Sequence, residues 1–291
     1  MSTFLVSLHK AYIISYSIVA SAHCCGFILL CKAKNNLPNQ RLLTKNLAVT
    51  EMLFCINIVF SYFAAVNARN NLTVECLYTF FTALLFTEIR LTVLHLIFDR
   101  FLEIFTNIKY PLYMTQKKML CIMVTHWIAS TICATASLII KLLNTHKGKW
   151  HFQALFCLVL DILILISAIA TQVYFYITVQ KIKVLEARIT GRFRETRITV
   201  MMRKFKVPCY IVLTYIFCNL SSTVIFASLS YAENKETITI FLNFSQSLII
   251  IGFTSDNVIY VFANANVRRL LRSIFKRRSV QASDSVDVTN L

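Results

Sequence analysis

Apolar runs long enough to cross a bilayer recur seven times along the chain, over residues 9–31, 43–66, 75–99, 119–140, 153–180, 207–230 and 238–262. A hydrocarbon core about 30 Å thick takes roughly 20 residues of helix. In lipid the backbone must satisfy its own hydrogen bonds, and runs this long and uniform suit helices rather than barrel strands. The expected fold class is therefore all-α, a seven-transmembrane helix bundle. A composition 57% hydrophobic and 15% charged excludes both a disordered chain and an ordinary soluble domain. The polar breaks are short, so no separate soluble domain is expected. The predicted organisation is an extracellular N-terminus over 1–8, a seven-transmembrane domain over 9–262, an amphipathic cytoplasmic helix over 263–278 and a disordered tail over 279–291.

A net charge of +17 raises the question of nucleic acid, and the placement of the basic residues answers it. Of the 30 Lys and Arg, 23 fall in the alternate connections 32–45, 99–118, 181–206 and 263–278. By the positive-inside rule those connections are cytoplasmic, with the N-terminus outside and the C-terminus inside a plasma membrane. The partner implied is anionic membrane lipid, not nucleic acid. The N-terminus has no basic region or small-residue cleavage site, so the first run is expected to act as its own insertion signal. The ten Cys show no metal-ligand spacing. Most sit in apolar runs, where a thiol behaves as a small hydrophobe. No metal, cofactor or catalytic constellation is expected, and the scattered His and Ser have no motif around them.

Two cytoplasmic segments carry their own patterns. The connection 181–206 holds nine basic residues and no Pro before Pro208, which predicts that the fifth and sixth helices continue into the cytoplasm. After the seventh run, Val267, Leu270, Leu271, Ile274 and Phe275 share one helical face, with Arg268, Arg269, Arg272 and Lys276 on the other. That is a helix lying on the inner membrane surface.

Five ionisable residues fall deep inside the runs: Glu51, Glu88, Arg90, Asp161 and Asp256. Each costs about 2.5–3.5 kcal/mol at a helix centre on insertion scales, so each requires a partner or a purpose. Arg90 cannot escape by deprotonation and is expected to pair with Glu51, Asp161 or Asp256. The group is readable either as a structural polar cluster, as a conformational switch or as an ion or proton pathway.

Motifs at the ends of these runs add a resemblance. The third run ends in Asp99-Arg100-Phe101, and the second holds Asn46-Leu47-Ala48-Val49-Thr50-Glu51. Trp127 stands in the fourth, Tyr174 with Ile177 in the fifth, and Asp256-Asn257-Val258-Ile259-Tyr260 in the seventh. In order and spacing the chain resembles the rhodopsin-like (class A) G-protein-coupled receptors over nearly its whole length. Around Ile104-Phe105, Lys109-Tyr110 and Met114-Thr115 it is similar to the group holding melanocortin, cannabinoid and adenosine receptors. Glu75 alone matches the outer acidic cluster of the melanocortin receptors, and Thr82 stands near the place of the amine-binding Asp, which disfavours a simple amine ligand.

The resemblance implies an extracellular ligand, of unknown identity, entering between the third, fifth, sixth and seventh helices. It implies a switch built from Asp99, Arg100, Tyr174, Tyr260, Asp256 and Glu51, in which the sixth helix moves outward and exposes Arg100 to a heterotrimeric G protein. Tyr174 and Tyr260 would then hold the freed Arg100. The family's sodium site surrounds the second-helix acid, and here the Arg90 guanidinium is expected to substitute for the cation beside Glu51 and Asp256. The family also links the top of the third helix to the second outer loop by a disulfide. Cys76 is close to that place, but residues 141–156 contain no Cys and Cys157 lies deep, so Cys76 is expected to be unpaired.

Departures from the family pattern fall in the middles of the helices. Phe101 replaces the Tyr of Asp-Arg-Tyr, His23 stands where the first-helix Asn belongs, Cys218-Asn219-Leu220-Ser221 replaces Cys-Trp-x-Pro, and Asn257 replaces the Pro of the seventh helix. A Pro inside a helix costs about 3 kcal/mol and kinks it. With the fifth-helix Pro also missing, losing three such positions predicts straighter fifth, sixth and seventh helices, or kinks made by Ser, Asn and Gly252 instead.

Smaller signals concern modification and partners. Asn71-Leu72-Thr73 is a glycosylation sequon in an outer loop. Ser279, Ser283, Ser285 and Thr289 offer phosphorylation sites that would recruit arrestin. The terminal Thr289-Asn290-Leu291 fits a PDZ domain, which captures a C-terminal carboxylate and side chain. The rival readings are a seven-helix transporter or proton channel using the five buried charges, and a receptor-derived scaffold without ligand response. Internal repeats, which would favour the transporter, are not evident.

Overall fold

Lipid offers a backbone no partner but itself. The computed structural model of the chain meets that constraint with helices, describing residues 3–32, 38–67, 72–106, 110–143, 151–190, 209–229, 235–262 and 267–273 with no strand among them. The long helices are α1 (Thr3–Lys32), α2 (Pro38–Asn67), α3 (Leu72–Thr106), α4 (Gln116–Leu143), α5 (His151–Thr190), α6 (209–229) and α7 (Lys235–Phe262). One helical turn, Tyr110–Tyr113, separates α3 from α4. Pro38 opens α2, where its missing N–H has no helical acceptor to lose. Hydroxyls inside the apolar helices donate to their own preceding turn, as Thr131 does to the Trp127 carbonyl at 2.7 Å and Thr135 to that of Thr131 at 2.8 Å. They are thereby satisfied without water.

Six of the seven long helices are long and apolar enough to cross a membrane. The sixth expected run is the exception. Among the described residues its apolar helix runs over Cys209–Ile225, and within it Tyr215–Leu220 is wound as a π-helix. Of the two outcomes expected for the missing Pro, a straighter helix or a kink made by Ser, Asn or Gly252, the second is the nearer: an irregularity that includes Cys218-Asn219 stands where the proline motif would have been. A π segment inserts a residue into the helical ladder, which is one of the ways a helix without Pro can bend. Thr214, just before it, shares its hydroxyl between the Tyr210 carbonyl at 2.5 Å and the Ile211 carbonyl at 3.2 Å.

The helices pack as a bundle with α3 the most enclosed. Helix α1 lies against α2 and α7, α6 lies between α5 and α7, α3 contacts α2, α4 and α5, and α4 rests on α3 and α2. Helix α3 is correspondingly the most enclosed, with 61% of its most apolar stretch buried against 17% for α4. At the centre Phe54 meets Phe86 and Phe253 edge to face at 4.7 and 5.5 Å. Two glycines allow close approach to α7. A Cβ on Gly252 would stand 2.9 Å from the Cys218 Cβ, and one on Gly26 would stand 2.8 Å from the Asn257 Oδ1. Large apolar residues such as Phe60, Ile132 and Phe217 cover the outer surface, as a lipid-facing bundle requires. Helix α5 continues to Thr190, in the direction anticipated for the basic connection, and residues 191–208 lie outside the described set. In the short helix 267–273, Val267 is buried and Arg268, Arg269 and Arg272 are exposed.

Candidate functional site: buried polar clusters of the bundle

Four polar clusters thread the bundle. At the end of α3, Arg100 is only 3% exposed and is held by two acids, its neighbour Asp99 and Glu103 one turn on. The Tyr110 hydroxyl donates to the other Asp99 oxygen. Spacing of three on a helix puts Glu103 on the Arg100 face, so the second tether was available from sequence, although only the first was anticipated. The Tyr174 ring packs on Phe101 and Phe105 at 5.3 and 6.1 Å. Tyr260 ends the seventh helix, and its side chain lies outside the described residues.

In mid-bundle Arg90 pairs with Asp161, one of its three anticipated partners. Its Nε lies 3.0 Å from Asp161 Oδ1, and its Nη2 donates to Oδ2 at 3.2 Å and to the Thr223 hydroxyl at 2.6 Å. Its Nη1 donates to the Phe86 carbonyl at 3.0 Å, and its guanidinium carbon stands 4.8 Å from the Phe86 ring centroid. The Tyr215 hydroxyl donates to Asp161 Oδ1. One guanidinium thus ties α3 to α5 and α6, and Tyr215 is the first residue of the π segment. Planar, multi-donor geometry of this kind is what makes Arg rather than Lys workable in a dry interior.

Glu51 and Asp256 form a third cluster, and Arg90 is not part of it. The expected replacement of a bound cation by the Arg90 guanidinium is corrected accordingly, because that side chain is turned towards α5 and α6. A side-chain hydrogen bond joins Glu51 to Asp256. Thr214 donates to Asp256 at 2.9 Å, and His23 Nδ1 stands 3.5 Å from Glu51. The other His23 nitrogen is 3.1 Å from the Phe253 carbonyl. Four helices, α1, α2, α6 and α7, meet at this point.

Glu88 belongs to the fourth cluster and is served entirely by neutral donors: Asn46 at 2.8 Å, Ser130 at 3.0 Å and Thr92 at 3.3 Å. Trp127 donates to the Asn46 Oδ1 at 3.1 Å, so the second-helix Asn and the fourth-helix Trp singled out in sequence meet. Five deep charges thus separate into three groups rather than one. Cys76 and Cys157 are both thiols.

No family model matches the chain, and no curated protein is detectably similar to it. Any functional reading therefore rests on the residues themselves. Ser130, Thr92, Thr214, Tyr215 and Thr223 were not singled out in sequence, since hydroxyls in apolar helices usually serve only their own backbone. Asn71, the tail serines and Thr289-Asn290-Leu291 lie outside the described residues.

Proposed function

We propose that the chain is a rhodopsin-like G-protein-coupled receptor, crossing the plasma membrane seven times with its N-terminus outside, and carrying an extracellular signal to a heterotrimeric G protein. The observation that carries this reading is the burial of Arg100 under two acids at the end of the central helix. A cation held by Asp99 and Glu103 is a resting state with a defined release: neutralising or displacing the acids frees a guanidinium that can reach a docking partner. Helix α6 lies between α5 and α7, and its polar links to Asp161, Arg90 and Asp256 are the contacts that would change if α6 is the moving part. Glu51, Asp256 and Thr214 would couple α7 to α6 during that movement, and Tyr174 and Tyr260 would receive Arg100. Arrestin and a PDZ protein remain the further partners proposed for the tail.

Guanine-nucleotide exchange on a panel of G proteins tests this. Arg100→Ala is expected to abolish exchange without lowering surface expression, and Asp99→Asn combined with Glu103→Gln to raise the basal rate. Equal exchange in all variants would remove the reading. A second reading, a proton-conducting bundle, draws on the His23, Glu51 and Asp256 cluster. Proton flux into proteoliposomes that is lost in Asp256→Asn would favour it over the receptor.

A further inference from the structure

Between α3, α4 and α5 lies a cavity of about 460 Å³, open on the outer face of the bundle and separate from the four clusters above. Its walls are apolar, with Leu94 and Phe98 from α3 among them, except for the hydroxyls of Ser167 and Thr171 and two imidazoles, His95 and His126. The rings meet edge to face at 5.1 Å, with His95 Nδ1 3.4 Å from His126 Nε2. His95 is 7% exposed, and the remaining nitrogens, His95 Nε2 and His126 Nδ1, are buried without a hydrogen-bond partner among the described residues.

Such a pair has a definite chemistry. Two neutral imidazoles joined by one hydrogen bond use one donor and one acceptor between them. Whichever tautomers form, the two nitrogens left over are one donor and one acceptor. Leaving them unmet in hydrocarbon costs about 1–3 kcal/mol each, and water is absent as a substitute. The complementary group must accept at one atom and donate at another, which a carboxyl does through its two oxygens and a single hydroxyl does only through one. The rest of the ligand must be apolar, because it sits among Leu, Phe and Ile side chains. His95 lies one helical turn before Asp99, so a head held there faces the end of the bundle that holds Arg100. An apolar tail then runs past Leu94 and Leu91 towards mid-bundle, which is how a single-chain amphiphile of one leaflet orients.

We propose that the cleft between α3, α4 and α5 binds a long-chain fatty acid, its carboxyl bridging His95 and His126 and its chain lying along α3. Nothing in this assignment depends on the receptor reading, and its test needs no G protein.

The full-length protein in nanodiscs would be labelled with a clickable diazirine analogue of palmitate, and in parallel with a photoreactive sterol, and the crosslinked peptides mapped. The palmitate probe is expected to mark residues 91–101 or 167–171, to be displaced by unlabelled palmitate, and to fall about tenfold or more in His95→Phe combined with His126→Phe. Ala170→Phe, a change at an exposed position on the cleft wall, fills the cavity without touching either His and is expected to give the same loss. Labelling that survives both variants, or that these peptides receive from the sterol in place of palmitate, overturns the proposal.

Discussion

Arg90 keeps its charge in mid-bundle because the atoms around it leave little of the guanidinium unmet: a carboxylate across two nitrogens, a hydroxyl, a carbonyl and a ring face. Such a pair is a weak source of net stability but a hazard when broken, since removing one partner leaves a buried charge without compensation. Asp161→Leu is expected to destabilise the bundle by about 3–5 kcal/mol, and adding Arg90→Met to recover most of the loss. Thermal unfolding in detergent measures both, and a double variant no more stable than the single one would contradict the account. The five charges themselves were legible in sequence, because charge stands out in an apolar run. Their partners were not, since pairing depends on how each helix is rotated about its axis. Arg90 had three candidate acids on other helices, and only packing chose Asp161. Glu88 illustrates the harder case, because its donors Asn46, Ser130 and Thr92 are neutral residues whose spacing announces nothing.

At the level of elements, the closest contact in the bundle is where Gly252 of α7 meets the π segment of α6. A methyl group at Gly252 would press on the Cys218 Cβ at 2.9 Å, which is main-chain-anchored and cannot swing away. Gly252→Ala is therefore expected to cost about 1–3 kcal/mol through overpacking, against the roughly 1 kcal/mol that Ala normally gains over Gly in a helix. A melting temperature unchanged or raised would show that the two helices separate freely. Six helices could be placed from apolar length alone, because the bilayer sets that length. The interior of α6 could not. Its missing Pro left a straighter helix and a kink made by Ser, Asn or Gly252 both open, because winding at Tyr215–Leu220 is a tertiary outcome, fitted to Gly252 on one side and to Asp161 on another.

For the molecule as a whole, the proposed orientation in the membrane rests on the concentration of 23 of the 30 basic residues in alternate connections. The all-helical bundle was foreseeable in outline and its polar wiring was not. Of the motif residues, Asn46 and Trp127 meet each other, Glu51 meets Asp256, and Arg100 is tethered twice.

Helix α6 carries one more implication. Its π segment, Tyr215–Leu220, holds one residue more than a regular turn, so side chains after it are offset about the axis from those before it. Thr214 and Tyr215 reach Asp256 and Asp161 from one side of the break, and Ser222 and Thr223 reach Ser245 and Arg90 from the other. Removing one residue from the segment would rotate one set of contacts by about 100° relative to the other. A single-residue deletion there is expected to lower the melting temperature more than any point substitution at the same position, because it misaligns every contact beyond it.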